Sequence, residues 1–121
     1  MRFLCLVYFK PDTLASLTPS KKVALDRDSL AYNDELRKKN QFIAAEALES
    51  VGKARTVRVR RGKLSVTDGP FAETKEVVAG FLLIEAAGMN EALEIAAGVP
   101  LVKLGSVEVR PIMRIGGSFC T

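Results

Sequence analysis

Residues Arg2–Phe9 (RFLCLVYF) are apolar on both faces of an extended chain: Phe3, Cys5, Val7 and Phe9 fall on one side, Leu4, Leu6 and Tyr8 on the other. This pattern predicts a central strand covered on both sides, and Val77–Glu85 repeats it. Residues 10–17 read as a connecting loop. Thr18 and Pro19 then supply an N-cap and a first helical residue for a helix over 19–39. Leu25, Ser29, Tyr32 and Leu36, spaced four, three and four, make one helical stripe. Val23 and Leu30 lie off it and leave room for a second contact surface. Arg37, Lys38 and Lys39 suit the negative end of the helix, and Asn40 closes it.

Residues 42–48 read as a second strand. Residues 54–60 and 63–67 form a hairpin across Arg61-Gly62, with Val57, Val59, Leu64 and Val66 as its packed face. The turn Asp68-Gly69-Pro70-Phe71 and a polar stretch over 72–76 follow. Asn90 is expected to cap a short helix that turns Leu93, Ala96 and Ala97 inward and stops at Gly98. A strand over 107–113 closes the pattern, and 114–121 reads as a loosely ordered tail. With the hairpin taken as an insertion, the order is βαβ–βαβ. That predicts an α+β, ferredoxin-like fold in a single domain over 1–121, with its core at about 2–113. Two helices cover only one face of four strands. The second apolar face of the two central strands therefore predicts a homodimer, packed sheet to sheet about a two-fold axis.

Composition narrows the chemistry. A chain of 121 residues, 48% hydrophobic and 26% charged, can bury a core without disulfides or metals. No apolar run is long enough to cross a bilayer, and the first residues lack the length and cleavage site of a signal peptide. A cytoplasmic protein without membrane partners is the expectation. Cys5 should be a buried small hydrophobe and Cys120 an exposed thiol, with nothing in their spacing to argue for a disulfide or a metal site. There is no histidine. Ser–His, Cys–His and histidine–zinc mechanisms are thus excluded for this chain acting alone, leaving carboxylates, Lys, Tyr, Cys or backbone donors. No nucleotide, flavin or structural-metal motif is visible, so no cofactor is expected. The net charge of +4 gathers at Lys53, Arg55, Arg58, Arg60, Arg61 and Lys63. That stretch lacks aromatic interleaving, a helix–turn–helix or a metal module, and nucleic-acid binding is the minor reading.

Five residues stand out as site candidates. Asp68 offers a carboxylate as general base or polar anchor, but turn chemistry explains it without a ligand and is preferred: Asp bonds its own backbone, Gly permits positive φ, Pro fixes the next φ, and Phe71 plugs the core. Glu46, in a largely apolar strand, is the better acid–base candidate if its carboxyl is desolvated, and a mere surface residue if it points outward. Ser29 and Tyr32 could line a pocket between helix and sheet, or be satisfied core hydroxyls. Arg110 could bind an anionic substrate through its forked donors, or form a salt bridge. Glu73, Lys75 and Glu76 read as a solvated loop.

The segment Val66-Thr67-Asp68-Gly69-Pro70-Phe71-Ala72-Glu73-Thr74-Lys75-Glu76 resembles the signature of DGPF-domain proteins, within the YCII-related family of dimeric α+β barrels. Glu46-Ala47-Leu48, Thr56-Val57-Arg58-Val59-Arg60, Gly80-Phe81 and Ser106-Val107-Glu108-Val109-Arg110-Pro111 fall in register, so the resemblance spans residues 2 to about 113. It implies the barrel-type fold and its dimer. Better characterised members carry a His in the first helix and an Asp near the end of the second. Those positions fall at about Ser29 and Val99 here, where neither side chain is an acid or base, and the dyad is not carried over. Two functions follow as expectations. The first is a small-molecule binder or enzyme with lyase-, isomerase- or dehalogenase-like proton chemistry on a small organic acid, its pocket lined by Tyr32, Glu46, Asp68 and Arg110. The second is a non-catalytic regulatory or partner-binding module, because DGPF-type proteins are similar to domains found beside sigma factors of the extracytoplasmic-function type.

Overall fold

The computed structural model describes residues 1–118. Strands β1 (Arg2–Phe9), β2 (Phe42–Ala47), β5 (Val77–Glu85) and β6 (Ser106–Pro111) form one antiparallel sheet in the order β2-β5-β1-β6. The two strands predicted to be central are central. Strands β3 (Arg55–Arg60) and β4 (Lys63–Asp68) pair only with each other, as an insertion between β2 and β5. Helices α1 (Pro11–Ala15), α2 (Pro19–Lys38) and α3 (Met89–Ala97) complete the α+β, ferredoxin-like arrangement.

Alternation along β1 and β5 sorts the two faces. Phe3, Cys5, Val7, Leu82 and Ile84 are buried against Leu36 of α2 and Ala92, Ile95 and Ala96 of α3. On the other face Leu4, Leu6, Tyr8, Phe81 and Leu83 remain only half-buried within the chain. The register Glu46–Phe81–Leu6–Glu108 crosses this open face, and the next row runs Ala44–Leu83–Leu4–Arg110. Glu46 and Arg110 therefore sit near opposite edges of the open face, one on β2 and one on β6.

Several sequence expectations change. Residues 10–17 are not all loop, because Pro11 at the first helical position and Asp12 in the first turn start the short helix α1. Helix α2 starts as predicted, with Thr18 Oγ1 accepting from Lys21 N at 3.3 Å. Helix α3 starts one residue before the expected cap: Gly88, not Asn90, holds the N-cap position without a side-chain bond. Glu91 supplies the missing acceptor from inside the helix, its Oε1 taking a hydrogen bond from Ala87 N at 3.3 Å. Leu93 and Ala97 face outward, and Ala92 and Ile95 join Ala96 inside. The last strand ends at Pro111, and beyond it Ile115 and Ser118 form a local bridge. Cys120 lies outside the described residues.

The hairpin departs most from expectation. It turns through Arg61 and Gly62, both at positive φ as a tight two-residue hairpin requires. Yet its predicted packed face, Val57, Val59, Leu64 and Val66, is 57–67% exposed, because no helix or strand of the chain reaches it. Period-two alternation reports which residues share a face, not whether anything covers that face.

Tyr32 ties α2 to α3. Its hydroxyl donates to the Ile95 carbonyl at 2.6 Å, and the ring lies over Gly98, where a Cβ would stand 2.7 Å from Tyr32 Cζ. Replacing Gly98 by Ala must push the ring aside and strain that hydrogen bond. Denaturant unfolding is expected to show Gly98→Ala losing about 1–3 kcal/mol. Gly88→Ser, in open space on extended backbone, should leave stability within about 0.5 kcal/mol.

Candidate functional site

A cleft of about 470 Å³ lies between the middle turns of α2, β2, β5 and the segment after α3. That volume suits a small organic molecule. Ser29 and Tyr32 line it, as expected from their shared stripe. Asp26 and Asn33 also line it, and neither was singled out from the sequence. The signal was available: Asp26, Ser29 and Asn33 follow at three and four residues, a polar row beside the apolar one. Val99, Pro100 and Leu101 close the far end. Ser29 and Val99 thus line one cleft.

The remaining candidates separate. Glu46 lies at the cleft's β2 rim, but its pairing with Phe81 sets its side chain on the open face of the sheet, exposed in this chain. Its strand is apolar in sequence yet sits at a sheet edge, which leaves Glu46 exposed. Arg110, opposite Leu4, is on the open face too and outside the cleft. Asp68 is at the base of the hairpin, where its Oδ1 is 3.0 Å from Arg55 Nε, the residue directly across the ladder. Asp68 and Glu46 do not converge.

The turn after Asp68 is held by backbone. Gly69, at φ +88°, sends its N–H to the Ala54 carbonyl at 2.8 Å, and its own carbonyl accepts from Thr56 Oγ1 at 2.8 Å. Arg58 Nη2 donates to the Phe71 carbonyl at 3.3 Å. Phe71 does not plug the core; it is 77% exposed. Three hydrogen bonds to the hairpin hold the turn outward, away from the sheet's interior.

Tyr32 and Cys5 carry the resolved electrostatic perturbations. Burial, followed by the negative charges that Glu35 and an ionised Cys5 would present, pushes the Tyr32 phenol above its ordinary value and keeps it neutral. Its proton is committed to Ile95, so Tyr32 positions the cleft wall and leaves proton transfer to other groups. Burial pushes the Cys5 thiol up to about 11. Among the described residues, no three Asp, Glu, Cys or His side chains cluster to hold a metal, and no helix is long and apolar enough to cross a membrane.

An antiparallel sheet backed by one long and one short helix, with a cleft between α2 and the sheet, is the architecture of a small α+β domain. The YCII-related domain matches residues 1–116, and the chain belongs to that family. It is similar to an uncharacterised protein of Rhizobium meliloti (strain 1021), 48% identical over 61 residues, 49% of each chain. The match therefore spans about half the length of that curated relative. Among solved structures it is similar to 5-chloro-2-hydroxyhydroquinone dehydrochlorinase from Burkholderia phenoliruptrix AC1100 in complex with 2,5-dihydroxybenzoquinone. The TM-score is 0.57, with 17% identity over 98% of this chain and 99% of that one. At that identity the likeness is one of fold.

The Cys5 environment makes two expectations concrete. In a Cys120→Ser variant, a thiol-exchange reagent at mildly alkaline pH should find no reactive sulfur until the protein is unfolded. The fold favours the protonated thiol, so its contribution is complete below pH 9 and is lost as pH rises towards about 11. Stability measured across that window should fall, and Cys5→Ala should make the fall shallower by on the order of 2 kcal/mol.

Proposed function

We propose that the protein binds a small, uncharged, hydroxyl-bearing organic molecule in the cleft between α2 and the sheet. The observation that carries this reading is the lining itself. Apolar side chains of Phe9, Leu25, Leu82 and Leu101 line it together with a polar row of Asp26, Ser29 and Asn33, and among the described residues no Lys or Arg lines the cleft. An organic acid would meet Asp26 with no cation to offset it, so a neutral ligand donating hydroxyl hydrogens suits the site better. Tyr32 sets the wall and Ser29 leaves room for the ligand. If a reaction takes place, Asp26 is the carboxylate placed to accept a ligand proton, a role for which Glu46 and Asp68 stand in the wrong places. The likeness of fold to a dehydrochlorinase of hydroxylated rings is in keeping with elimination or isomerisation chemistry of that kind.

The same reading places a second copy of the chain against the open sheet face, forming a dimeric α+β barrel. Leu4, Leu6, Phe81 and Leu83 present an apolar surface there, bordered by Tyr8, Glu46, Glu108 and Arg110. Glu46 and Arg110 then belong to that contact. A second function, a partner-binding module, is favoured by one observation: the uncovered apolar face of the hairpin.

Hydroquinone serves as a neutral probe. In an amide NMR titration, residues 26–33 and 99–101 should shift, Asp26→Asn should weaken binding about tenfold, and Ser29→Trp should abolish it by filling the cleft. Glu46→Gln should leave it unchanged. Shifts elsewhere, or binding that survives Ser29→Trp, would contradict the assignment.

A further inference from the structure

The Asp68-Gly69-Pro70-Phe71 turn takes no part in the α2 cleft, and the three hydrogen bonds that hold it outward call for a separate reason. It walls a second cleft of about 540 Å³, at the end of the sheet beyond the irregularity between Val7 and Tyr8. Tyr8, Leu48, Val51, Pro70, Phe71 and Val77 supply its apolar and aromatic lining. Isolated exposure of a Phe is unremarkable, but this ring is fixed over a concavity. Arg58 holds its carbonyl, while Thr56 and Ala54 hold the glycine two residues before it.

The polar groups around the cleft are mostly committed. Lys53 pairs with Glu49, Ser50 Oγ accepts from Gly52 N, and the Thr74 hydroxyl donates to the Glu76 carbonyl. The Tyr8 hydroxyl, by contrast, has no hydrogen-bond partner among the described residues. We infer that this cleft is a second ligand site, taking a flat aromatic molecule with one polar substituent: the ring packs against Phe71 and Pro70, and the substituent meets the Tyr8 hydroxyl. The inference does not rest on the α2 cleft being a site, since the two share only Leu48.

2-Naphthol is the probe. Amide shifts on titration should gather at Tyr8, Val51, Phe71 and Val77. Phe71→Ala, which removes an exposed side chain and spares the fold, should weaken binding roughly tenfold. Tyr8→Phe should weaken it about threefold to tenfold while the ring contacts persist. Ser29→Trp, which closes the other cleft, should change nothing here. Absence of shifts in this region would overturn the inference, as would shifts confined to residues 26–33 and 99–101. So would a Phe71→Ala variant that binds 2-naphthol normally but dissociates into monomers, since Phe71 would then be a contact with the second copy.

Discussion

Two strands that are apolar on both faces govern this molecule. Helices α2 and α3 cover one face of β1 and β5 with Leu36, Ala92, Ile95 and Ala96, and the core of Phe3, Cys5, Val7, Leu82 and Ile84 forms there. The other face keeps Leu4, Leu6, Tyr8, Phe81 and Leu83 half-buried, in the middle of a sheet where hydrocarbon in contact with water is unfavourable. The same division allocates the candidate chemistry. Side chains on the helix side can reach the α2 cleft. Those opposite Phe81 or Leu4, such as Glu46 and Arg110, belong to the open face.

Local pattern made the sheet legible and left its surroundings obscure. The central strands are legible in Arg2–Phe9 and Val77–Glu85 because apolar residues occupy both periods from Phe3 to Phe9 and from Val77 to Ile84. The Leu25–Ser29–Tyr32–Leu36 row identified the buried side of α2, and the Thr18-Pro19 pair its start. By contrast, nothing local distinguishes Val57 and Val66 over a core from the same residues over water. The exposure of Phe71 likewise depends on Arg58 and Thr56, more than ten residues away in the chain. Glu46 misled for a related reason: an apolar stretch implies a desolvated carboxylate only when the strand is interior, and β2 is an edge.

The site was partly visible. Helical spacing places Ser29 and Tyr32 on one stripe, whereas Asp26, Asn33 and Val99 do not stand out in the sequence as lining residues. Their role depends on β2 standing far enough from α2 to leave a gap, and that distance is not written in any one segment. The chain has no histidine, and the Tyr32 hydroxyl on the cleft wall donates its proton to the Ile95 carbonyl. The conspicuous Asp-Gly-Pro-Phe signature turns out to be architecture first: Gly69 for its φ, Asp68 for the hairpin's base, and Phe71 for a wall on a different cleft.

The two-faced sheet is the claim on which the rest stands, and sedimentation equilibrium tests it most directly. At micromolar concentration the protein should sediment as a dimer, and Leu6→Glu, which places a charge at the centre of the open face, should sediment as a folded monomer. A wild-type chain that remains monomeric, or a Leu6→Glu chain that remains dimeric, would show that the second apolar face of β1 and β5 is not what brings two copies together.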